Sequence, residues 1–388
     1  MRLSSNRTFS VMAKVVGAHC NLQCDYCYYT EKAKLLAQSQ RLMSDDVLEA
    51  YIIQNLHING KNATVEFAWH GGEPLLAGLE FFQKAMAWEK QHGQGRRIIN
   101  TLQTNATLID DEWCRFFAEH DFLLGISIDG PEPLHDAYRK NATGGSFDCV
   151  MNGIERLKKW NVRFNTLTAV HAANENHPEA VYNLLRKHTN DMQFLPVVER
   201  KPDFLEIENG QHFATPPGSN SPHTPHDMAP FSVSPEGYGH FMISVFERWQ
   251  VLDKGKKHIQ LFEVTAGNLQ GIPSSLCVHN PLCGHGASVE VDGSVYACDH
   301  YAFEEYCLGN IMETPLEEIM ERNRPFGMYK TYGLCKECFD CPYLKLCFGG
   351  CPKDRVRISC EDGGRINYLC DGYKIFFSHI LDNLDSLM

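Results

Sequence analysis

The stretch CNLQCDYC, residues 20–27, carries three cysteines spaced as C-x3-C-x2-C. The chain has 16 cysteines among 388 residues, so this triplet would arise by chance somewhere in the chain with a probability of roughly 0.03. Three thiolates on one short loop, Cys20, Cys24 and Cys27, can bind three irons of a 4Fe–4S cubane and leave the fourth iron open to another ligand. A structural zinc ion would need a fourth protein ligand, for which His19 is available. The spacing favours the iron–sulfur cluster.

Around this loop, the first half of the chain alternates apolar, β-branched runs with stretches of helical period. Strands are predicted over residues 8–16, 64–70, 97–103, 122–128, 162–170 and 192–198. Helical patterns begin near Ser44, Leu79, Asp110, Phe147 and Pro178, several of them at a suitable cap residue. Six such units predict an α/β fold, a partial (βα)6 barrel with its active face at the carboxyl ends of the strands. The cysteine loop directly follows the first strand.

Charge and hydropathy narrow the class of partner. The chain has 36 Lys and Arg against 48 Asp and Glu, a formal net charge of −12, which argues against nucleic-acid or basic membrane-surface binding. No run approaches the roughly 18 apolar residues of a membrane-spanning helix, and the N-terminus lacks an apolar secretory region. In a reducing compartment, clustered cysteines in a chain of this size indicate metal binding or catalysis rather than disulfides. We expect a cytoplasmic protein that acts on a small or peptide-like partner.

The domain organisation is predicted from changes in composition. Residues 201–235 contain seven prolines and no periodicity, which predicts a long exposed loop. A helical pattern over residues 236–252 leads from there to the cysteine-rich end of the chain. We therefore predict a barrel over residues 1–235, a helical linker over residues 236–270 and an iron–sulfur domain over residues 271–388.

The second cysteine block supplies two further sets of ligands. Its members are Cys277, Cys283, Cys298, Cys338, Cys341, Cys347, Cys351 and Cys370. Eight thiolates complete two four-thiolate cluster sites, and two zinc ribbons are the alternative. Cys335, three residues before Cys338, is an extra thiol that could substitute in one set. The remaining cysteines are expected to be small buried hydrophobic side chains, namely Cys114, Cys149, Cys307 and Cys360.

Two motifs accompany the cysteine loop at the ends of later strands. The sequence Gly-Gly-Glu-Pro at residues 71–74 closes the second predicted strand, where glycine permits close approach of a ligand to the main chain. In the fourth strand, the alternation of side chains places Ser127 and Asp129 on one face, and Arg139 follows twelve residues after Ser127. In this order, the motifs resemble those of the radical S-adenosylmethionine (SAM) superfamily. The second cysteine block resembles its SPASM type of C-terminal extension.

From end to end, the chain resembles the anaerobic sulfatase-maturating enzymes. The resemblance covers residues 12–14, 20–29, 67–78, 103–108, 127–130, 193–194, 293–299 and 308–311 and the final cysteines. It implies SAM and three 4Fe–4S clusters as cofactors. Auxiliary cluster I is assigned to Cys277, Cys283, Cys298 and Cys351, and auxiliary cluster II to Cys338, Cys341, Cys347 and Cys370. The SAM contacts implied by the family are Tyr26, Gly72, Ser127, Arg139 and Val198.

The resemblance also implies an activity. Reductive cleavage of SAM yields a 5′-deoxyadenosyl radical, which takes a hydrogen from Cβ of the Cys or Ser in a Cys/Ser-x-Pro-x-Arg segment of a sulfatase and so leads to formylglycine. Asp299, next to Cys298, is implied as the base, and the auxiliary clusters as the outlet for the electron. The implied partners are an unfolded sulfatase or another peptide, and a flavodoxin- or ferredoxin-type electron donor.

Two departures from the family pattern leave the substrate open. His70 stands where the family places Gln, and Ala106 replaces a Gly. The alternative is therefore a SPASM-type enzyme that modifies a different peptide. An iron–sulfur electron carrier or a zinc scaffold would not need the open-iron triad together with Gly-Gly-Glu-Pro, Ser127 and Arg139.

Overall fold

The computed structural model describes residues 9–29, 32, 41–60, 63–217, 227–284, 286–359 and 361–383. The strands are β1 (Ser10–Lys14), β2 (Val65–His70), β3 (Ile98–Thr104), β4 (Leu123–Ser127), β5 (Lys140–Asn141), β6 (Gly144–Gly145), β7 (Arg163–Val170), β8 (Asp191–Pro196), β9 (His258–Ile259), β10 (Gly286–Val289), β11 (Ser294–Tyr296), β12 (Cys307–Asn310), β13 (Arg357–Ile358) and β14 (Arg365–Ile366). Ten of them form one sheet in the order β12-β11-β10-β1-β2-β3-β4-β7-β8-β9, and β5–β6 and β13–β14 are separate two-stranded pairs.

The α-helices of the described chain connect and cover these strands. They are α1 (Asp45–Ile58), α2 (Leu79–Gly93), α3 (Asp111–Glu119), α4 (Glu132–His135), α5 (Phe147–Lys159), α6 (Pro178–Leu185), α7 (Phe204–Glu208), α8 (Pro235–Leu252), α9 (Gln260–Leu269), α10 (Leu316–Arg322), α11 (Arg324–Tyr332), α12 (Lys336–Phe339), α13 (Leu344–Cys347) and α14 (Cys370–Asp382). Among the described residues, no helix has the length and apolar character needed to cross a membrane.

The predicted α/β barrel is confirmed. Strands β1, β2, β3, β4, β7 and β8 are parallel neighbours in that order, and helices α1, α2, α3, α5 and α6 lie between them in the chain. Two helix starts follow from local chemistry: the Ser44 side chain accepts a hydrogen bond from Val47 N, and the Asp110 side chain accepts from Glu112 N and Trp113 N. These carboxylate and hydroxyl caps satisfy N–H groups that have no partner within the helix.

The core lies between the sheet and these helices. Along β2, the alternate residues Val65, Phe67 and Trp69 are at most 1% exposed, and the Trp69 ring packs edge-on against Phe82 of α2 with centroids 5.8 Å apart. Burial of each such large side chain contributes about 1.5–3 kcal/mol. This packing fixes the direction in which β2 ends, and therefore the position of the Gly-Gly-Glu-Pro turn that follows.

The cysteine-rich part of the chain extends the barrel sheet. Strand β10 pairs in parallel with β1, with Ser10 opposite Gly286 and Ala13 opposite Val289. Helix α14 packs against α8, and both helices have glycine where they meet, Gly372 on α14 and Gly239 on α8. A Cβ added to Gly239 would lie 2.6 Å from the Gly372 carbonyl oxygen. The pairing of β1 with β10 thus joins the strand that precedes the first cysteine block to the cysteine-rich segment.

The prediction of a long exposed loop over residues 201–235 agrees with most of its described part, which is irregular, but is wrong in places. Residues 218–226, which include His223 and His226, lie outside the described residues. Elsewhere in the segment, helix α7 forms, and Phe231 and Val233 are buried. The prolines interrupt any periodic pattern in this sequence, but Phe231 and Val233 still pack in the interior of the protein.

Candidate active site

The three cysteines of the first block lie on one loop that leaves the carboxyl end of β1. Burial raises the pKa of the Cys24 thiol to about 12; Arg139 partly offsets this, and the thiolates of Cys27 and Cys20 raise it further. Asn105 Nδ2 donates to Cys20 Sγ at 3.8 Å. The thiols are therefore close enough to influence one another, as three ligands of one cluster require. Iron would replace the thiol protons on binding.

The Gly-Gly-Glu-Pro turn braces this loop. A Cβ added to Gly72 would lie only 2.1 Å from the His19 carbonyl oxygen, so only glycine allows the two chain segments to approach so closely. The buried carboxyl group of Glu73 accepts from Thr104 Oγ1 and Asn105 N, both at 2.8 Å. Burial raises the pKa of Glu73 to about 7, and these hydrogen bonds oppose the rise. Glu73 thus joins the ends of β2 and β3 beneath the cysteine loop.

Asp129 lies at the centre of a buried polar network beside the triad. Arg139 donates to it from Nε at 2.7 Å and from Nη2 at 3.2 Å, and Tyr26 Oη donates to its Oδ2 at 2.5 Å. Ala169 N also donates to Asp129 Oδ1 at 2.9 Å. Burial opposes ionisation, but the Arg139 guanidinium keeps the pKa of Asp129 well below its usual range. Tyr26 and Arg139, two of the predicted SAM contacts, are therefore positioned by one carboxylate near Cys24.

Of the other three predicted SAM contacts, Gly72 lies in the turn after β2, Ser127 ends β4, and Val198 follows the end of β8. Ser127 Oγ accepts from Gln103 Nε2 at 3.0 Å. The Val198 carbonyl accepts from Lys353 Nζ at 2.8 Å, and Lys353 also pairs with Glu199 at 3.3 Å. The structure thus places Tyr26, Ser127 and Arg139 in or beside one polar patch, while Val198 lies where the barrel meets the cysteine-rich segment.

Asp299 lies between the two cysteine blocks. Tyr28 directly follows Cys27 in the chain. Its Oη donates to Asp299 Oδ2 at 2.7 Å, and Lys14 Nζ is 3.7 Å from the same oxygen. On the other side, Cys298 Sγ lies 3.3 Å from Asp299 Oδ1. Burial raises the pKa of Asp299, but the charges of His300 and Lys14 outweigh it and hold the pKa well below its usual range. The side chain, 18% exposed, is a carboxylate at neutral pH.

His70 lies in the same cluster and is neutral. Its Nδ1 accepts from Gly71 N at 2.9 Å and faces Lys14 Nζ at 3.2 Å. Burial lowers the pKa of His70 to about 3, and the neighbouring Lys14 charge lowers it as well. Since Nδ1 is an acceptor, the ring proton belongs on Nε2, which leaves His70 with one N–H to donate.

The cysteines assigned to auxiliary cluster I come together from distant parts of the chain. Burial raises the pKa of Cys298, and the charges of Asp299, Cys277 and Cys351 raise it further. Cys277 acts in the same way on Cys283, whose pKa burial raises to about 11. Cys277 is thus within electrostatic reach of Cys283 and Cys298, and Cys298 of Cys351, although these cysteines span residues 277–351.

A buried lysine lies near three of these thiols, those of Cys277, Cys283 and Cys351. Lys330 Nζ donates to the carbonyl oxygens of Cys277, Val278 and Asn280 at 2.5, 2.9 and 2.6 Å. Burial lowers the pKa of Lys330 to about 8, against the thiolate charges nearby. A cation at this position would balance the negative charge of a four-thiolate cluster.

The cysteines assigned to auxiliary cluster II line one cavity. Its walls include Cys338, Cys341, Cys347 and Cys370, together with Tyr343. Burial raises the pKa of Cys347 to about 11, and the charges of Cys341 and Cys370 contribute. The residues fit a four-thiolate cluster, because all four thiols border the same enclosed space.

The prediction that four further cysteines are buried is partly wrong. Cys114 is buried in α3, but Cys149 and Cys307 are exposed. Cys149 occupies the solvent side of α5, where the apolar stripe turns away from it. Cys360 lies outside the described residues.

Sequence reasoning missed several residues of the site. Lys14, Tyr28 and Lys330 were not singled out, because their partners are remote in the sequence. One signal was available for Lys14: it is a charged residue at the end of an apolar strand, and the structure buries it completely.

Comparison with known proteins agrees with this geometry. The Radical SAM superfamily model matches residues 15–185, and the iron–sulfur cluster-binding domain model named SPASM matches residues 283–342. Fold and site therefore define a radical SAM protein with a C-terminal iron–sulfur cluster-binding domain.

Full-length relatives narrow the class. The chain is 42% identical to the serine-type anaerobic sulfatase-maturating enzyme of Bacteroides thetaiotaomicron over 97% of this chain and 90% of that protein. It is 34% identical to the cysteine-type enzyme of Clostridium perfringens over 97% of both chains. The structure of native anSMEcpe with bound AdoMet and Cp18Cys peptide superposes with a TM-score of 0.81 at 31% identity, covering 97% of this chain and 98% of that one. The chain belongs to the anaerobic sulfatase-maturating enzyme family. The predicted family, enzyme class and cofactors are thereby confirmed.

Proposed function

We propose that this protein oxidises a Cys or Ser side chain of a sulfatase peptide to formylglycine. One observation carries the proposal: a single hydrogen bond, Tyr28 to Asp299, joins the triad loop to the residue that adjoins Cys298. A substrate side chain held there would lie between the cysteines of the first block and those of auxiliary cluster I. The acceptor for its proton would be within reach of both.

The residues of the barrel would bind and orient SAM. Cys20, Cys24 and Cys27 would hold a cluster with one open iron, and the contacts to SAM would come from Tyr26, Gly72, Ser127, Arg139 and Val198. Bound and reduced at this cluster, SAM supplies the 5′-deoxyadenosyl radical that removes a hydrogen from the substrate. Asp129 keeps Arg139 and Tyr26 in place, and the charge of Arg139 suits the carboxylate of SAM.

Asp299 would take the proton from the substrate hydroxyl or thiol. The Lys14 charge helps to hold the pKa of Asp299 well below its usual range, so the side chain is ionised but weakly basic at neutral pH. Its role as the proton acceptor would therefore depend on hydrogen-bond reach to the substrate rather than on its basicity. An alcohol depends on such a base far more than a thiol, whose unperturbed pKa is about 8.5. The cysteines of the two auxiliary sets would hold clusters whose chemistry is one-electron transfer.

The electron donor, the cell compartment and the domain boundaries are also part of the proposal. A flavodoxin- or ferredoxin-type protein would supply electrons, and the cytoplasm would keep the cysteines reduced. We retain the boundaries of a barrel over residues 1–235, a linker over residues 236–270 and an iron–sulfur domain over residues 271–388.

A second candidate function rests on His70. This imidazole lies beside Lys14 and near Asp299, where the family pattern has Gln, so the pocket differs at a residue that would face the substrate. A peptide other than a sulfatase segment would then be the substrate of the same radical chemistry.

The test uses two peptides, Cys-x-Pro-Ser-Arg and Ser-x-Pro-Ser-Arg. Each is incubated anaerobically with the reconstituted enzyme, SAM and a reductant, and mass spectrometry follows conversion of the side chain to an aldehyde. Aldehyde formation is the expected result. Formation of 5′-deoxyadenosine with both peptides unchanged would reject the sulfatase substrate and favour the second candidate.

Asp299→Asn tests the base in the same assay. Iron content should remain, and aldehyde formation should fall by about 100- to 10,000-fold, more for the Ser peptide than for the Cys peptide. Asp46→Asn, an exposed carboxylate on α1, is the matched control and should match the parent. An Asp299→Asn enzyme that oxidises both peptides at the parent rate would exclude Asp299 as the base.

A further inference from the structure

Cys335 is an extra thiol packed against one cysteine of the auxiliary II set. It is 1% exposed, and its Sγ lies 3.6 Å from Cys338 Sγ, within hydrogen-bonding distance for two sulfurs. The main chain fixes this separation: the Cys335 carbonyl accepts from Cys338 N at 3.0 Å at the start of α12. A Cβ added to Gly364 would lie 2.7 Å from Cys335 Cβ, so the backbone of residue 364 closes over the thiol.

The position of Cys335 differs from that of the assigned ligands. Cys338, Cys341, Cys347 and Cys370 line the auxiliary II cavity, whereas Cys335 is not among the described residues that line it. Four thiolates already complete a cluster site, so Cys335 has no place in it. The sulfur that Cys335 contacts is that of Cys338, one of the ligands that line the cavity.

We propose that the Cys335 thiol donates an S–H···S hydrogen bond to the sulfur of Cys338, a ligand of auxiliary cluster II. The proposal rests on the cluster assignment made above for the proposed function. A hydrogen bond to a ligating sulfur withdraws negative charge from it, which favours the reduced and more negative state of the cluster. Cys335 therefore raises the midpoint potential of auxiliary cluster II and makes that cluster a better electron acceptor.

The test compares Cys335→Ala and Cys335→Ser with the parent holoenzyme after anaerobic reconstitution. Iron content is measured first, and an EPR-monitored redox titration then gives the midpoint potentials. The signal of auxiliary cluster II is the one that disappears in Cys370→Ala, which removes an assigned ligand. Cys114→Ala, a buried cysteine of α3 away from the clusters, is the control.

We expect both Cys335 variants to retain the parent iron content. In Cys335→Ala the potential of auxiliary cluster II should shift downward, and in Cys335→Ser, which keeps a donor, it should shift less. An unchanged potential in Cys335→Ala would overturn the proposal and leave the thiol as a packing residue. Loss of about four irons would overturn it too, because Cys335 would then be a ligand.

These results are independent of the peptide assay. Failure to oxidise either sulfatase peptide would reject the proposed function while leaving the redox titration intact. Zinc in place of iron at this site would reject the cluster assignment itself, and the inference with it.

Discussion

Replacement of Glu89 by glutamine should make the protein less sensitive to alkaline pH. Glu89, on the inner side of α2, is 5% exposed; its Oε2 accepts from Asn100 Nδ2 at 2.9 Å, and its Oε1 has no hydrogen-bond partner among the described residues. Burial raises the pKa of Glu89 to about 8, and the Asn100 hydrogen bond offsets only part of the rise. At neutral pH the folded protein therefore keeps this carboxyl group protonated.

The size of the effect follows from proton linkage. An unfolded glutamate has a pKa of about 4.3, so between that pH and about 8 the folded state binds a proton that the unfolded state has lost. The free energy of unfolding then falls by about 1.4 kcal/mol per pH unit, and by less as the pH nears the folded pKa, which gives about 3 kcal/mol from pH 5.5 to 8. With an unfolding entropy of about 2.1 cal/mol/K per residue, 388 residues give about 0.8 kcal/mol/K, and the loss corresponds to about 4 °C in Tm.

The assay is thermal unfolding of the anaerobic holoenzyme at pH 5.5 and at pH 8. The Tm of Glu89→Gln minus the Tm of the parent should be about 4 °C higher at pH 8 than at pH 5.5. Other titrating groups are common to both proteins and cancel. Glu80→Gln, on the same helix but exposed, should differ from the parent equally at both pH values. If Glu89→Gln behaves like Glu80→Gln, Glu89 is ionised in the folded protein and the reasoning is wrong.

Three further outcomes are expected. Anaerobic reconstitution should give roughly twelve irons and twelve sulfides per chain, and about four irons with stoichiometric zinc would contradict the auxiliary assignments. Cys24→Ala should abolish formation of 5′-deoxyadenosine, measured by chromatography, yet retain about eight irons; continued cleavage of SAM would place the radical site elsewhere. His70→Gln keeps an N–H donor and should retain the parent ratio of aldehyde to 5′-deoxyadenosine. His70→Leu loses one hydrogen bond and should lower this ratio about three- to tenfold. Equal ratios in the two variants would show that His70 does not contact the substrate.

Local chemistry made the barrel predictable from the sequence. The six strands and five helix starts depend on side-chain alternation, helical period and caps such as Ser44 and Asp110, all of which are properties of short segments. The pairing of β10 with β1 was not predictable in this way. Its two strands are short and lie near opposite ends of the chain, so no local pattern links them.

The residues of the site were likewise predictable where they are close in sequence and not where only the fold brings them together. Cysteine spacing singled out the metal-binding candidates because the ligands of one loop are close in sequence, and the family resemblance supplied the rest of the assignment. Two of the groups that favour the ionised form of Asp299, Lys14 and Tyr28, reach it from the first strand and the first cysteine loop. The central role of Asp129 was also missed, since its partners Arg139 and Tyr26 are joined only by the folded chain.

The parallel pairing of β1 with β10 has a consequence for biosynthesis. The first strand to leave the ribosome gains its second neighbour only after most of the chain has been translated, because Ser10 pairs with Gly286. Until then one edge of the nascent barrel is open, and an open edge can pair with another chain. A premature stop or a truncation before residue 286 would therefore leave the barrel prone to aggregation. It would also remove Asp299, so we do not expect the barrel to act as a separate module.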